Sequence, residues 1–195
     1  MNTPSTDDCQ SQPTTTHPAA AHATTARVIG PIVQLLHELA SVINSLSDEQ
    51  YVQNPAPIHG FIGAHVRHSL DHVQTLLDAA AATSIDFDTR QRGTSVETSR
   101  AAALDTITRL IASLQSLSPD CLNKSLDMSM MVTADDLPLR LPTSFLREAG
   151  FVVSHTVHHN AIISTMIRTL GGTVPPRFGY APSTLAHQKN TSCAR

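Results

Sequence analysis

The sequence predicts an all-α fold, a four-helix bundle with long connections, and three observations lead there. Four segments place leucine, isoleucine and valine three and four residues apart, the repeat of a helix with one buried face. Much of the apolar content is alanine and leucine, both strong helix formers. Strand-like alternation is confined to one stretch, KSLDMSMMV, and no internal repeat suggests an array.

Residues 1–24 are rich in Thr, Ser, Pro and Ala and hold almost nothing to bury, so they read as a disordered lead-in to a bundle over 25–172. Helix one is predicted from Ala26 or Pro31 to Leu46, with Ile32, Leu35, Leu36, Leu39, Val42 and Ile43 on its apolar face. Pro31 suits a first turn. In SDEQY, Ser47 and Gln50 have capping-box spacing for a short extra turn, and NPAP then breaks the chain at 54–57. Helix two spans about Ile58 to Ala82, with Ile62, Val66, Leu70, Val73, Leu76 and Leu77 as its stripe.

The polar loop SIDFDTRQRGTSVET follows. Thr94, Ser95 or Thr98 is placed to cap helix three, which runs to about Leu117 through Leu104, Ile107, Leu110 and Leu114. Ser118-Pro119 stops it. KSLDMSMMV and LPLRLP read as a short β-hairpin, although Pro138 and Pro142 disfavour a central strand. Thr143 or Ser144 caps helix four, and Gly171-Gly172 lies just past its end. Residues 173–195 read as an irregular C-terminal tail.

With 195 residues the chain can bury a real core. A net charge of −3 and only 13 Lys+Arg argue against a nucleic-acid partner, which would need a basic stripe for the phosphates. Cys9, Cys121 and Cys193 are too far apart for a disulfide framework or zinc-finger spacing, so a reducing cytoplasm is the expected compartment. The first residues lack the basic and apolar regions of a secretory signal, and no run approaches the ~18 apolar residues of a membrane span. No membrane partner is expected.

Against this background the histidines stand out. SHTVHHNAII, residues 154–163, carries three in five positions. At about 100° per residue, His155 and His159 lie one above the other on the face bearing Phe151, Val152, Ile162 and Met166, and His158 sits at its edge. GAHVRHSLDHV on helix two sets His65, His68 and His72 along one strip beside Ile62, Val66 and Val73. A single buried histidine is more often a hydrogen-bonded core residue than a ligand. Two clusters on separate helices favour a metal, because each buried imidazole left without a partner costs about 1–3 kcal/mol. Imidazole suits Zn, Ni, Cu or Fe, and three protein ligands with an open position is the arrangement of a catalytic site.

FIGAHVRHSLDHV and EAGFVVSHTVHHNAII together resemble the DinB-like (DinB/YfiT-like) superfamily of bacterial metal-binding four-helix bundles, over about residues 26–171. The resemblance implies one histidine ligand from helix two and an HxxxH pair from the last helix, holding a divalent metal, commonly zinc or nickel. Carried over by position, the ligands are His68, His155 and His159, with His65 and His72 as competitors for the helix-two place. The better-known members include thiol-dependent transferases and isomerases, which implies a small-molecule substrate, a low-molecular-weight thiol cosubstrate and a homodimer.

The expected function is accordingly a metal-dependent thiol S-transferase or hydrolase, the alternative being a non-catalytic stress-response protein with a structural metal. His158, His72 and Asp71 are the candidate proton relays or partners orienting a ligand ring, although Asp71 reads equally well as a solvated carboxylate. In the loop DFDTRQRGTS, Arg90 or Arg92 could hold a substrate carboxylate, with a solvated connection slightly favoured. Tyr180 is assigned to a cover over one end of the bundle. His37, His59, His187 and Cys121 carry no functional role in this reading.

Overall fold

The structure, a computed structural model, describes residues 18–135 and 137–193. It is mostly helical, with a small three-stranded sheet. Four long helices, α1 (Pro18–Ser45), α3 (Ile62–Ala79), α5 (Arg100–Gln115) and α6 (Phe145–Thr169), carry the apolar stripes. They pack in a closed ring, with α1 against α5 and α6, and α3 against α5 and α6. Their inward residues form one core that includes Ile32, Leu36, Leu39, Ile43, Ile62, Val66, Leu76, Ile107, Leu110, Phe145 and Ile163, each at most 1% exposed. Removing side chains of this size from water contributes about 1.5–3 kcal/mol apiece.

α1 begins earlier than predicted. The alanines after Pro18 extend it upstream, and Pro31 lies inside the helix instead of at its start. Of the expected lead-in, residues 1–17 lie outside the described residues. The Ala26–Ser45 part of α1 also corrects the expectation that no segment matches a membrane span. By length and composition it is apolar enough to cross one, with mean hydropathy 1.3. Here the same period serves the core, where Ile29, Ile32, Leu36, Leu39, Val42 and Ile43 are buried.

After α1, Ser47 and Gln50 form the expected capping box on α2 (Asp48–Val52), with Gln50 N donating to Ser47 Oγ at 3.1 Å and Ser47 N to Gln50 Oε1 at 2.9 Å. Tyr51 is fully buried and its hydroxyl donates to the Val96 carbonyl at 2.8 Å. Gly63 permits a close approach beside it, since a Cβ there would collide with the Glu97 carbonyl. The cap of α5 is Ser99, one residue beyond the predicted set, because a separate turn of helix, α4 (Ser95–Thr98), uses the earlier residues. Ser118 caps a 3-10 turn, Pro119–Asn123, and Ser144 caps α6 by accepting from Arg147 N at 3.2 Å.

In place of the expected short hairpin there is a three-stranded mixed sheet. β2 (Ser125–Met130) and β3 (Leu139–Ser144) pair antiparallel, but β1 (Ser84–Asp86), from the loop after α3, joins β2 in parallel. The order is β1-β2-β3, so Pro142 falls on an edge strand that tolerates it. Ile85, buried in the core, anchors β1. The tail is not wholly irregular, because α7 (Pro182–Cys193) follows a turn in which Phe178 is buried.

Candidate metal centre

α3 and α6 run antiparallel, as their histidines show. His65 faces His159 and, one turn on, His68 faces His155. The Nε2 atoms of His68 and His155 are 3.0 Å apart. His72 stacks on His155, with ring centroids 3.9 Å apart and planes 22° from parallel, and on Phe87 from β1's continuation at 5.0 Å. One ligand nitrogen from each of His68, His72 and His155 lies within 4.8 Å of the others. Two nitrogens on one tetrahedral Zn²⁺, each about 2.0–2.1 Å from the ion, stand about 3.3 Å apart, so the spacing needs little adjustment.

The hydrogen bonds decide which lone pairs are free. His72 Nδ1–H donates to the His68 carbonyl at 2.9 Å, which leaves His72 Nε2 as an acceptor. A backbone carbonyl on the far nitrogen is the usual device that fixes a ligating imidazole. Arg90 Nη1 lies 2.9 Å from His68 Nδ1. A guanidinium has no lone pair to offer, so it is the donor and His68 Nδ1 accepts. His65 and His159 meet through their Nδ1 atoms at 3.0 Å, and the His65 ring also bonds the His59 backbone.

Burial sets the protonation state. It lowers the pKa of all five rings, with neighbouring positive groups adding to the effect on His68 and His155. His68 falls to about 2, His159 to about 3 and His155 to about 4. The cluster therefore stays neutral at physiological pH, the form in which imidazole binds a cation.

These positions differ in part from the sequence expectation. His68 and His155 come together as the resemblance implied. By donor-atom spacing the third member of the group is His72, a competitor for the helix-two ligand place as well as a candidate relay, while the ring of His159 stands 4.5 Å from that of His68. His159 is 7% exposed and its ring lies as close to the group as its members do to each other, 4.6 Å from that of His155, with Nδ1 turned to His65. His158 is exposed, its ring 6.4 Å from that of His155. Asp71 is held by Arg67 at 2.8 Å, and Arg67 also binds Glu97 at 2.9 Å, so Arg67 braces α3 against α4 while its pair with Asp71 stays within α3. The Asp71 charge still reaches His72, whose pKa it raises against burial.

His68, His72 and His155 open onto a pocket of about 290 Å³ that Phe87, Phe151, Met128, Met130, Met131, Arg90 and Arg147 also line. Arg90 enters it while Arg92 is exposed. The loop that carries Arg90 is braced by Asp86, which accepts from Asp88 N at 2.8 Å, and by Asp88, which accepts from Met131 N at 2.7 Å. The methionines of β2 had no sequence signal as site residues, because only the parallel pairing with β1 carries them over the histidines. Tyr180 is instead at a second pocket of about 640 Å³, between α1, α6 and the C-terminal segment, away from these imidazoles.

The donor set suits a divalent ion: neutral imidazoles, one of them braced by a carbonyl, converging from two helices. Over 108 residues the chain is 34% identical to FK506-binding protein 5 of Rhizopus delemar, a match that takes in 55% of this chain and 28% of that protein. The chain thus spans little more than a quarter of that relative. The family model of the DinB superfamily matches residues 32–163, the stretch that contributes every histidine of the cluster, and on that match the chain belongs to the DinB superfamily.

Proposed function

We propose that this chain is a divalent-metal-dependent enzyme that activates a low-molecular-weight thiol or a water at His68, His72 and His155, as a thiol S-transferase or a hydrolase. One observation carries the reading: the three imidazoles form one wall of a pocket open to a small molecule. A zinc or nickel ion bound there would bring the pKa of an adjoining thiol or water toward neutrality. Phe87 and Phe151 pack beside His72, with ring centroids 5.0 and 6.0 Å away, and lower the local polarity on that side of the histidine wall. The His159–His65 pair lies one ring away from His155, and His158 extends that row outward with its ring 5.3 Å from His159.

The test has two stages. Metal content of the purified protein is measured for the wild type and for His68→Ala, His72→Ala, His155→Ala and His159→Ala. The first three should lose the ion and the fourth should keep it; full retention in the first three removes the site. Thiol-dependent consumption of a model electrophile, with and without chelator, then tests catalysis. A structural ion is the second reading, favoured by ligands that come from both α3 and α6. No metal-dependent turnover over a broad electrophile panel, with a large fall in melting temperature on chelation, would establish that reading.

A further inference from the structure

Arg90 is the feature of the pocket that the ligand geometry leaves unexplained. Four other arginines, Arg67, Arg100, Arg109 and Arg147, reach a carboxylate. Among the described residues Arg90 has none, and its hydrogen-bond partner is the neutral ring of His68. It is partly buried and lies against aromatic and thioether side chains. Asp88 shares the pocket, but its Oδ2 accepts from Met131 N. A guanidinium in such surroundings is stabilised by a fork-shaped anionic acceptor far more than by an imidazole nitrogen.

The lone-pair count sharpens this. A neutral imidazole has one lone pair. When His68 serves as a ligand through Nε2, its Nδ1 carries the proton and no longer accepts from Arg90. The loop bracing at Asp86 and Asp88 holds Arg90 in place, so it is left facing the pocket as a donor without an acceptor.

We infer that the molecule bound beside the histidines carries a carboxylate, and that Arg90, one imidazole's width from the ligand nitrogens, is the residue that selects it. The occupant is then a small carboxylate-bearing thiol or substrate whose metal-directed atom and carboxylate are a few bonds apart. The inference rests on the metal-site reading above. The pocket is at the small end of ligand sites, which limits the occupant to a compact molecule. Phe87, Phe151 and the methionines accept its apolar part.

The test uses full-length protein loaded with Co²⁺, whose visible and near-ultraviolet bands report thiol ligation without turnover. 3-Mercaptopropionate and 2-mercaptoethanol are titrated separately. A charge-assisted pair should make the acid bind about tenfold tighter or better. Arg90→Gln should abolish that preference and leave 2-mercaptoethanol affinity unchanged, Arg90→Lys should keep part of it, and Arg92→Gln should keep all of it. Equal affinities in the wild type, or a preference that survives Arg90→Gln, overturn the inference while the thiol-binding metal site stands. If neither thiol perturbs the cobalt bands, the open-site reading falls and this inference falls with it.

Discussion

Acid should unfold the metal-free protein well before it would unfold an ordinary helical domain, because the histidine cluster resists protonation. The folded-state pKa values of His68, His155 and His159, about 2, 4 and 3, lie below the 6.5 of the unfolded chain. Above pH ~6.5 neither state carries these protons and the rings cost nothing. As the pH falls through that value the unfolded chain takes up protons that the folded one refuses, and stability drops until the folded pKa values are reached. At pH ~5 each such ring would cost about 2 kcal/mol. Discounting by half for water that reaches the rings from the pocket leaves about 1 kcal/mol each, or about 3 kcal/mol for the three. That is a large share of a typical stability of about 5–15 kcal/mol.

The assay is urea denaturation of chelator-treated protein at pH ~7.5 and pH ~5, followed by far-ultraviolet circular dichroism because the chain has no tryptophan. The difference between the two unfolding free energies is the readout. His155→Phe should make the pH dependence shallower by about one proton. Equal stability at the two pH values would refute the argument, since it would mean that the rings protonate in place without loss of packing.

Three further outcomes follow from buried groups elsewhere. Asn160 is fully buried and neither of its side-chain polar atoms has a partner among the described residues, so Asn160→Leu should raise the unfolding free energy in urea titrations by about 1–3 kcal/mol; a lowered value would show that ordered water pairs the amide. Gly179 has φ +79°, and a Cβ there would lie 2.6 Å from the backbone N and Cα of Ala161. Gly179→Ala should therefore lift the C-terminal segment from α6, cost about 1–3 kcal/mol and speed proteolysis after residue 172, and an unchanged digestion rate would contradict this. Arg67→Met strands Asp71 and Glu97 without their shared cation and should lower stability by about 3 kcal/mol in thermal melts; no loss would mean that the bracing of α3 against α4 is carried by Gly63 and Tyr51 alone.

The sequence by itself determined the helices and the histidine seam. Apolar residues three and four apart can be buried together only on one face of a helix, so α3, α5 and α6 were readable, and the same arithmetic put His155 beside His159 and His65, His68 and His72 on one strip. It also determined local caps such as Ser47 with Gln50 and Ser144, whose bonds span three residues. Which imidazoles meet depends on the register of α3 against α6, and that is fixed by packing along the whole length of both helices. Only the tertiary structure therefore brings a donor nitrogen of His72 within reach of those of His68 and His155. The parallel pairing of Ser84–Asp86 with β2, more than forty residues away, likewise leaves no periodic trace, yet it shapes the pocket and aims Arg90. Short-range geometry is written in the spacing of residues, whereas contacts between distant segments are set by the core that all of them share.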